Sequence, residues 1–183
     1  MAFFKSLPDG AGPANVFTKY PEIYRLWSQM SQALMNGPSP LSQAERELTL
    51  AYAAGVAGCK FVYVAHSAVA YAWGVEAGVL DRLLADPDTA PVEARLKPLL
   101  AYVRKLMLTP GEMAQADADA VFAAGWDEQA LHDAIAITAR AAFMQRLVEG
   151  HGFTPMSYDV AARHAQRRVE RGYVNLYPAF QEK

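Results

Sequence analysis

Residues 47–66 read ELTLAYAAGVAGCKFVYVAH, and this stretch decides how the chain is understood. It holds one carboxylate, one thiol and one imidazole, Glu47, Cys59 and His66, among small and apolar residues. Cys59 and His66 stand seven positions apart, which on one helix is two turns, or about 10 Å of rise along one face. Val62 lies between them on that face. Gly55 and Gly58 suggest a break after a preceding helix, so Glu47 can fold back alongside the helix that carries the other two. A thiolate is the reactive form of cysteine, and a helix start, where Cys59 is expected, favours negative charge. His66 is suited to take or give a proton, and Glu47 to orient the imidazole.

Outward from this stretch, apolar residues recur at three- and four-residue spacings, the helix period, and no strand-turn-strand pattern is found. Residues 1–17, with Pro8, Gly10, Gly12 and Pro13, predict an irregular arm. The first helix is expected from Pro21 to Gly37-Pro38, with Ile23, Leu26, Trp27, Met30 and Leu34 as its buried stripe. Ser42 and Glu45 have capping-box spacing and open the helix of Glu47. The Cys59 helix is expected to run to Gly74, followed by a short one over about 75–85. The next starts at Pro91, kinks at Pro98 and stops at Thr109-Pro110. One more covers about 114–124. Asp127 then caps a long apolar helix ending near Gly150, and a polar helix spans about 157–172. The aromatic tail, residues 173–183, is expected to pack on a neighbouring subunit. The fold class is all-α, a helical bundle in a single domain over 1–183.

Composition narrows the function. Apolar residues make up 52% and charged residues 20%, a globular balance, with a net charge of -2. No concentrated basic face calls for nucleic acid; Arg163 to Arg171 reads as a solvated helix face. One cysteine and no signal segment point to a reducing, cytoplasmic setting. The most apolar run, Leu48 to Gly58, is too short to span a membrane. No phosphate loop, nucleophile elbow or dinucleotide fingerprint occurs, so no cofactor is expected. No metal is expected either, because Glu47, Cys59 and His66 lack a zinc-type spacing. His132, His151 and His164 have no coherent partners, and His151 suits a helix end. Trp27, Trp73 and Trp126 are expected in the core or an interface. Tyr52, Tyr63 and Tyr71 are expected either to share a cavity with Cys59 or to pack between subunits.

The segment resembles the signature of the alkylhydroperoxidase D-like (carboxymuconolactone decarboxylase) family, a Glu followed twelve residues later by Cys-x-x-Cys-x-x-x-His. Glu47, Cys59 and His66 occupy its positions. Arg46-Glu47 and Ser39-Pro40-Leu41-Ser42 fit the peroxidase-related branch, and looser likeness runs over residues 15–155. It includes Val16-Phe17 through Glu22, Ala101 to Leu106, Gly125 to Glu128 and Phe143 to Gly152. Residues 156–183 form a C-terminal helix and tail beyond it.

The resemblance implies an all-α fold in dimers, trimers or hexamers, and hydroperoxide reduction by a cysteine pair with Glu47 and His66 relaying protons. Val62 departs from it, standing where the second cysteine, the one expected to meet the peroxide, would be. No disulfide cycle within one site can operate. The implied activity is therefore that of a peroxidase-related oxidoreductase of antioxidant defence, with Cys59 as the single catalytic thiol, a sulfenic acid intermediate and an external thiol reductant. Val62 is expected to separate thiol from imidazole and raise the thiol pKa by desolvation. Two other readings stand beside this one. In the first, a carboxymuconolactone decarboxylase-like enzyme does acid-base work on a small organic acid through His66 and Glu47. In the second, a catalytically degenerate member serves binding or assembly.

Overall fold

Ser42 opens the central helix. Its hydroxyl accepts the Glu45 N–H at 3.2 Å while the Glu45 carboxylate accepts the Ser42 N–H at 2.7 Å, so two orphan donors are satisfied reciprocally. The helix that follows, Gln43–Val56, is buried from Arg46 through Ala54, the mark of an element walled in on every side. In the computed structural model, which describes residues 2–177 and Phe180, every other regular element is helical too.

Nine α-helices appear among the described residues: α1 Pro13–Lys19, α2 Pro21–Asn36, α3 Gln43–Val56, α4 Lys60–Ala72, α5 Val79–Ala85, α6 Leu96–Leu108, α7 Gln115–Ala123, α8 Glu128–Gly150 and α9 Tyr158–Arg171. A 3-10 turn, Pro110–Glu112, separates α6 from α7. The all-α expectation holds, with no strand among these residues. No helix among them is long and apolar enough to cross a membrane.

α3 and α4 pair closely after the reversal, and α8 and α6 pack on α3. One apolar core, with Leu50, Tyr52, Leu80, Leu83, Leu99, Leu100 and Ile137, fills the space between α3, α5, α6 and α8. A second core gathers Phe17, Tyr24, Cys59, Phe61, Val62, Met144 and Val148. α9 lies against α4, and its small buried residues Ala161 and Ala165 let the two helices approach.

Several expectations are corrected. The arm expected to be irregular through residue 17 becomes helical at Pro13, where proline at the first helical position loses no hydrogen bond. The helix placed from residue 75 begins at Val79, and the one placed from Pro91 begins at Leu96. Pro98 then falls in the first turn of α6, whose amides have no intrahelical acceptor, so it causes no break. α2 keeps its limits but turns a different face inward. Ile23 and Leu26 are 55% and 65% exposed, while Tyr24, Ser28, Ser31 and Met35 are buried. The serines face inward because that wall borders a partly polar cavity rather than an oily core. Within the tail, Tyr173 and Phe180 are buried in their own chain. Residues 178, 179 and 181–183 of that tail, and residue 1, lie outside the described residues.

Candidate active site

α3 and α4 bring Glu47 and His66 into contact across their interface. The Glu47 Oε2 and His66 Nδ1 atoms are 2.7 Å apart. On the other edge of the ring, an Arg168 Nη1 from α9 stands 3.3 Å from Nε2. Guanidinium nitrogens only donate, so Nε2 is the acceptor and the imidazole proton sits on Nδ1, donated to Glu47. The second Glu47 oxygen, Oε1, accepts the Tyr173 hydroxyl at 2.5 Å. Glu47 is 1% exposed, yet both its oxygens are hydrogen-bonded.

This network sets the charges. Burial works against ionised Glu47, but His66, Arg168 and the Tyr173 hydroxyl outweigh it and hold the carboxyl below its ordinary value. Burial pulls the His66 imidazole down to about 4; Glu47 opposes this, while Arg168 and Arg140 add to it. At neutral pH the pair is thus a carboxylate and a neutral imidazole. Burial and the adjacent Glu47 charge raise the Tyr173 phenol, which stays protonated.

Two arginines complete the cluster. Arg140 of α8 donates from Nε to Ser31 Oγ at 3.1 Å, and its guanidinium lies 4.8 Å from the Tyr173 ring centre. Arg168 lies 4.9 Å from the same ring. Two cations on one phenol ring gain from its quadrupole. Burial lowers the Arg140 pKa, but a guanidinium stays charged in any case.

His66, Arg140, Arg168 and Tyr173 open onto a cavity of about 580 Å³. Ser28 and Ser31 add polar groups, and Phe17, Trp27, Phe61, Val62 and Met144 supply apolar wall. The first and last parts of the chain close it, through residues 10–15 on one side and Leu176 and Tyr177 on the other. A cavity of this size with a few convergent polar groups suits a small molecule.

Cys59 stands elsewhere. It caps the start of α4, is 0% exposed, and does not line this cavity. It borders a smaller groove with Gly55, Lys60, Tyr63, Leu84 and Tyr158. Burial pushes its thiol up; the Val62 and Phe61 amides oppose this, and Glu149 adds to it, with a net rise. The helix start therefore fails to lower the thiol, because desolvation is the larger effect. Val62 occupies the cavity wall next to His66, as the heptad spacing implies. Of the three tyrosines expected nearby, Tyr63 borders the groove and donates to Asp81 at 2.5 Å, while Tyr52 lies in the main core. Tyr71 packs against that core as well. His151 receives its helix-end role, with Nδ1 2.7 Å from the Leu147 carbonyl.

Arg140, Arg168 and Tyr173 escaped the sequence reading. The basic run was expected to be a solvated face, yet Arg168 turns inward. Its signal is the spacing Ala161, Ala165, Arg168, which puts the arginine on the small-residue face that meets α4. Arg140 likewise falls on the buried register of α8, three after Ile137 and four before Met144. Tyr173 has no such periodicity. It is turned inward by Gly172, whose φ of 67° leaves the helix in a left-handed step. A Cβ there would meet Gln32 Oε1 at 2.3 Å, the same oxygen that accepts the Tyr173 N–H.

No known protein-family model and no curated protein matches the chain. Solved structures do. One, described as an alkylhydroperoxidase AhpD core and uncharacterized peroxidase-related protein from Ralstonia eutropha JMP134, superposes with a TM-score of 0.73 at 22% identity, over 80% of this chain and 78% of that one. Another, an uncharacterized peroxidase-related protein from Silicibacter sp. TM1040, gives 0.68 at 22% identity, over 83% and 91% respectively. At that identity the likeness is one of architecture, and the architecture of this chain is the all-helical AhpD-like core.

Proposed function

We propose that the chain is an acid-base enzyme that handles a proton of a small substrate at His66. The observation that carries this is the Glu47–His66 bond at 2.7 Å, which commits Nδ1 to the carboxylate and leaves Nε2 basic on the cavity side. A substrate proton passes to Nε2, replacing the long Arg168 contact, and the imidazolium that forms is stabilised by Glu47 through Nδ1. The proton on Nε2 exchanges with solvent, and a proton then returns from Nε2 to the carbanion or oxyanion, so the enzyme ends unchanged. Tyr173 holds the carboxylate still while His66 changes charge. Val62 and Phe61 keep that part of the wall dry.

The test is deuterium exchange from D2O into a panel of small carbonyl compounds, followed by proton NMR. Wild type and Cys59→Ser should catalyse exchange, and His66→Gln should lose roughly 10²–10⁴-fold of it. Exchange that survives His66→Gln would sink this reading.

A second reading is supported by the peroxidase-related description of the structural neighbours. A Cys59 thiolate would attack the peroxide oxygen and release an alcohol. The sulfenic acid left behind would be reduced by two equivalents of external thiol, giving water and a disulfide of that thiol. Full burial and the raised thiol weigh against it. Rapid gain of one oxygen on exposure to an organic hydroperoxide, absent in Cys59→Ser, would restore it. In either reading the protein is a cytoplasmic homo-oligomer, a view supported by the lone cysteine and by the exposed Ile23, Leu26 and Met30 of α2.

A further inference from the structure

The polar groups of the cavity fall into two zones. Asn15, Thr18, Thr154, His164 and Arg167 line its exposed edge, where water serves them. Ser28, Ser31, His66, Arg140 and Tyr173 line its buried end. Most of the buried groups are engaged already. The Tyr173 hydroxyl donates to Glu47, Arg140 Nε donates to Ser31 Oγ, and Arg168 Nη1 donates to His66 Nε2. Ser28 is different: it is 3% exposed, and its hydroxyl has no hydrogen-bond partner among the described residues.

Other helix-borne hydroxyls show what Ser28 forgoes. Thr49, Ser67 and Thr138 are as deeply buried, and each donates to the carbonyl one turn back at 2.7 Å. Ser28 leaves the Tyr24 carbonyl one turn back and keeps its proton unspent. A buried polar group without a partner costs stability unless something in the adjoining space meets it. The Ser28 oxygen is not sealed in as Arg46 Nε, Tyr52 Oη and Arg140 Nη1 are.

The surrounding charge bears on what that something is. Arg140, Arg167 and Arg168 line the cavity, and among its described lining residues there is no Asp or Glu. Arg140 keeps Nη1 away from the cavity, Arg167 stands in solvent, and Arg168 is turned to the Tyr173 ring and to His66. Such a surround suits negative charge that develops on a neutral molecule as it reacts.

We propose that the buried end of the cavity binds a neutral ketone with a hydrogen on the carbon next to its carbonyl, and that Ser28 donates to the carbonyl oxygen. The apolar body of the ketone lies on Phe17, Phe61, Val62 and Met144. The proposal deepens the acid-base reading and rests on it for the proton step. In that step the C–H bond breaks and its proton goes to His66 Nε2. The electron pair of that bond forms the carbon-carbon double bond of an enolate, and the carbonyl pair moves onto the oxygen that Ser28 holds. Return of a proton from Nε2 to the same carbon restores the ketone, so nothing is consumed.

The experiment is calorimetric titration of the full chain with acetophenone, phenylacetone and methyl hexyl ketone. Each is paired with the acid that carries an oxygen anion in place of its methyl group: benzoate, phenylacetate and heptanoate. The carbonyl stretch of the bound ketone is read by infrared difference spectroscopy, and deuterium uptake from D2O by proton NMR. At least one ketone should bind tighter than its acid. Its carbonyl stretch should move to higher frequency in Ser28→Ala, and its exchange should fall roughly 10²-fold, the loss expected on removing one donor to a developing oxyanion. Binding of none of the ketones, tighter binding of the acid in every pair, a stretch unmoved by Ser28→Ala, or exchange undiminished in that variant would overturn the proposal. In His66→Gln the stretch should stay low while exchange is lost. Exchange that survives His66→Gln, with the Ser28 shift intact, would uphold this site and sink the acid-base reading. Exchange lost in His66→Gln, with a stretch indifferent to Ser28→Ala, would do the reverse.

Discussion

The buried Glu47–His66 pair ties the fold to acidity. His66 takes its proton at about 4 in the folded chain against an ordinary 6.5. Between those values the unfolded chain binds more protons, so stability rises with pH across that window. Seen from the other side, the stability is fully present above about 6.5 and drains away as the pH falls toward 4. Glu47, held below its ordinary value, pushes in the same direction at the lower end. The urea midpoint should therefore fall steadily on acidification from pH 6.5, and the slope should flatten in His66→Gln. A midpoint that stays level down to pH 4.5 in wild type would contradict this charge assignment. The residue scale is also where the sequence was least complete. Glu47, Cys59 and His66 stood out by spacing, but spacing carries no sign of which way a side chain turns. Cys59 stands just before α4 with a non-helical backbone, φ -80° and ψ 86°, so the seven-residue helical spacing does not hold for it: it faces the oily second core and His66 the cavity. The helix start expected to favour a Cys59 thiolate is covered, because Phe153, Val148 and Phe61 gather in the same core.

Among elements, the α3–α4 pair matters most, since a shift of either would part Glu47 from His66. α3 is held in place partly by α5: at Gly55, near its end, an added Cβ would lie 2.7 Å from Leu84 Cδ1. Gly55→Ala should therefore destabilise by about 1 kcal/mol, the lower end of an overpacking cost, because the tip of Leu84 can yield. Thermal melts measure this directly, and a gain in stability would mean that the helix-favouring alanine outweighs the crowding. Helix limits were largely legible where a cap announces them. Ser42, Asp127 and Ser157 each accept the N–H expected of an N-cap. Limits failed where no cap existed, as before α6, whose N-cap is Arg95 without a side-chain bond. The buried face of α2 was misread for a different reason. Apolar counting assumes a greasy interior, whereas Ser28 and Ser31 border a cavity that wants polar groups.

For the whole molecule, one stretch of exposed apolar surface lies on the outer side of α2, with others at Phe3, Phe4, Leu108 and Tyr158. Ile23, Leu26 and Met30 follow one face, all exposed, while Trp27 turns aside to stack on Phe143 at 4.2 Å. If copies associate through this face, the double substitution Ile23→Lys and Leu26→Lys should reduce the sedimenting mass and leave the folded monomer's stability within about 0.5 kcal/mol, as surface changes do. An unchanged sedimenting mass would place the contact elsewhere. The cavity also has a consequence for how the chain behaves as one body. Its two rims come from opposite ends of the sequence, residues 10–15 and residues 173–177, which share no helix. Any molecule lodged between them acts as a rivet, and amide protons in both stretches should slow their exchange together when it arrives and quicken together when it leaves.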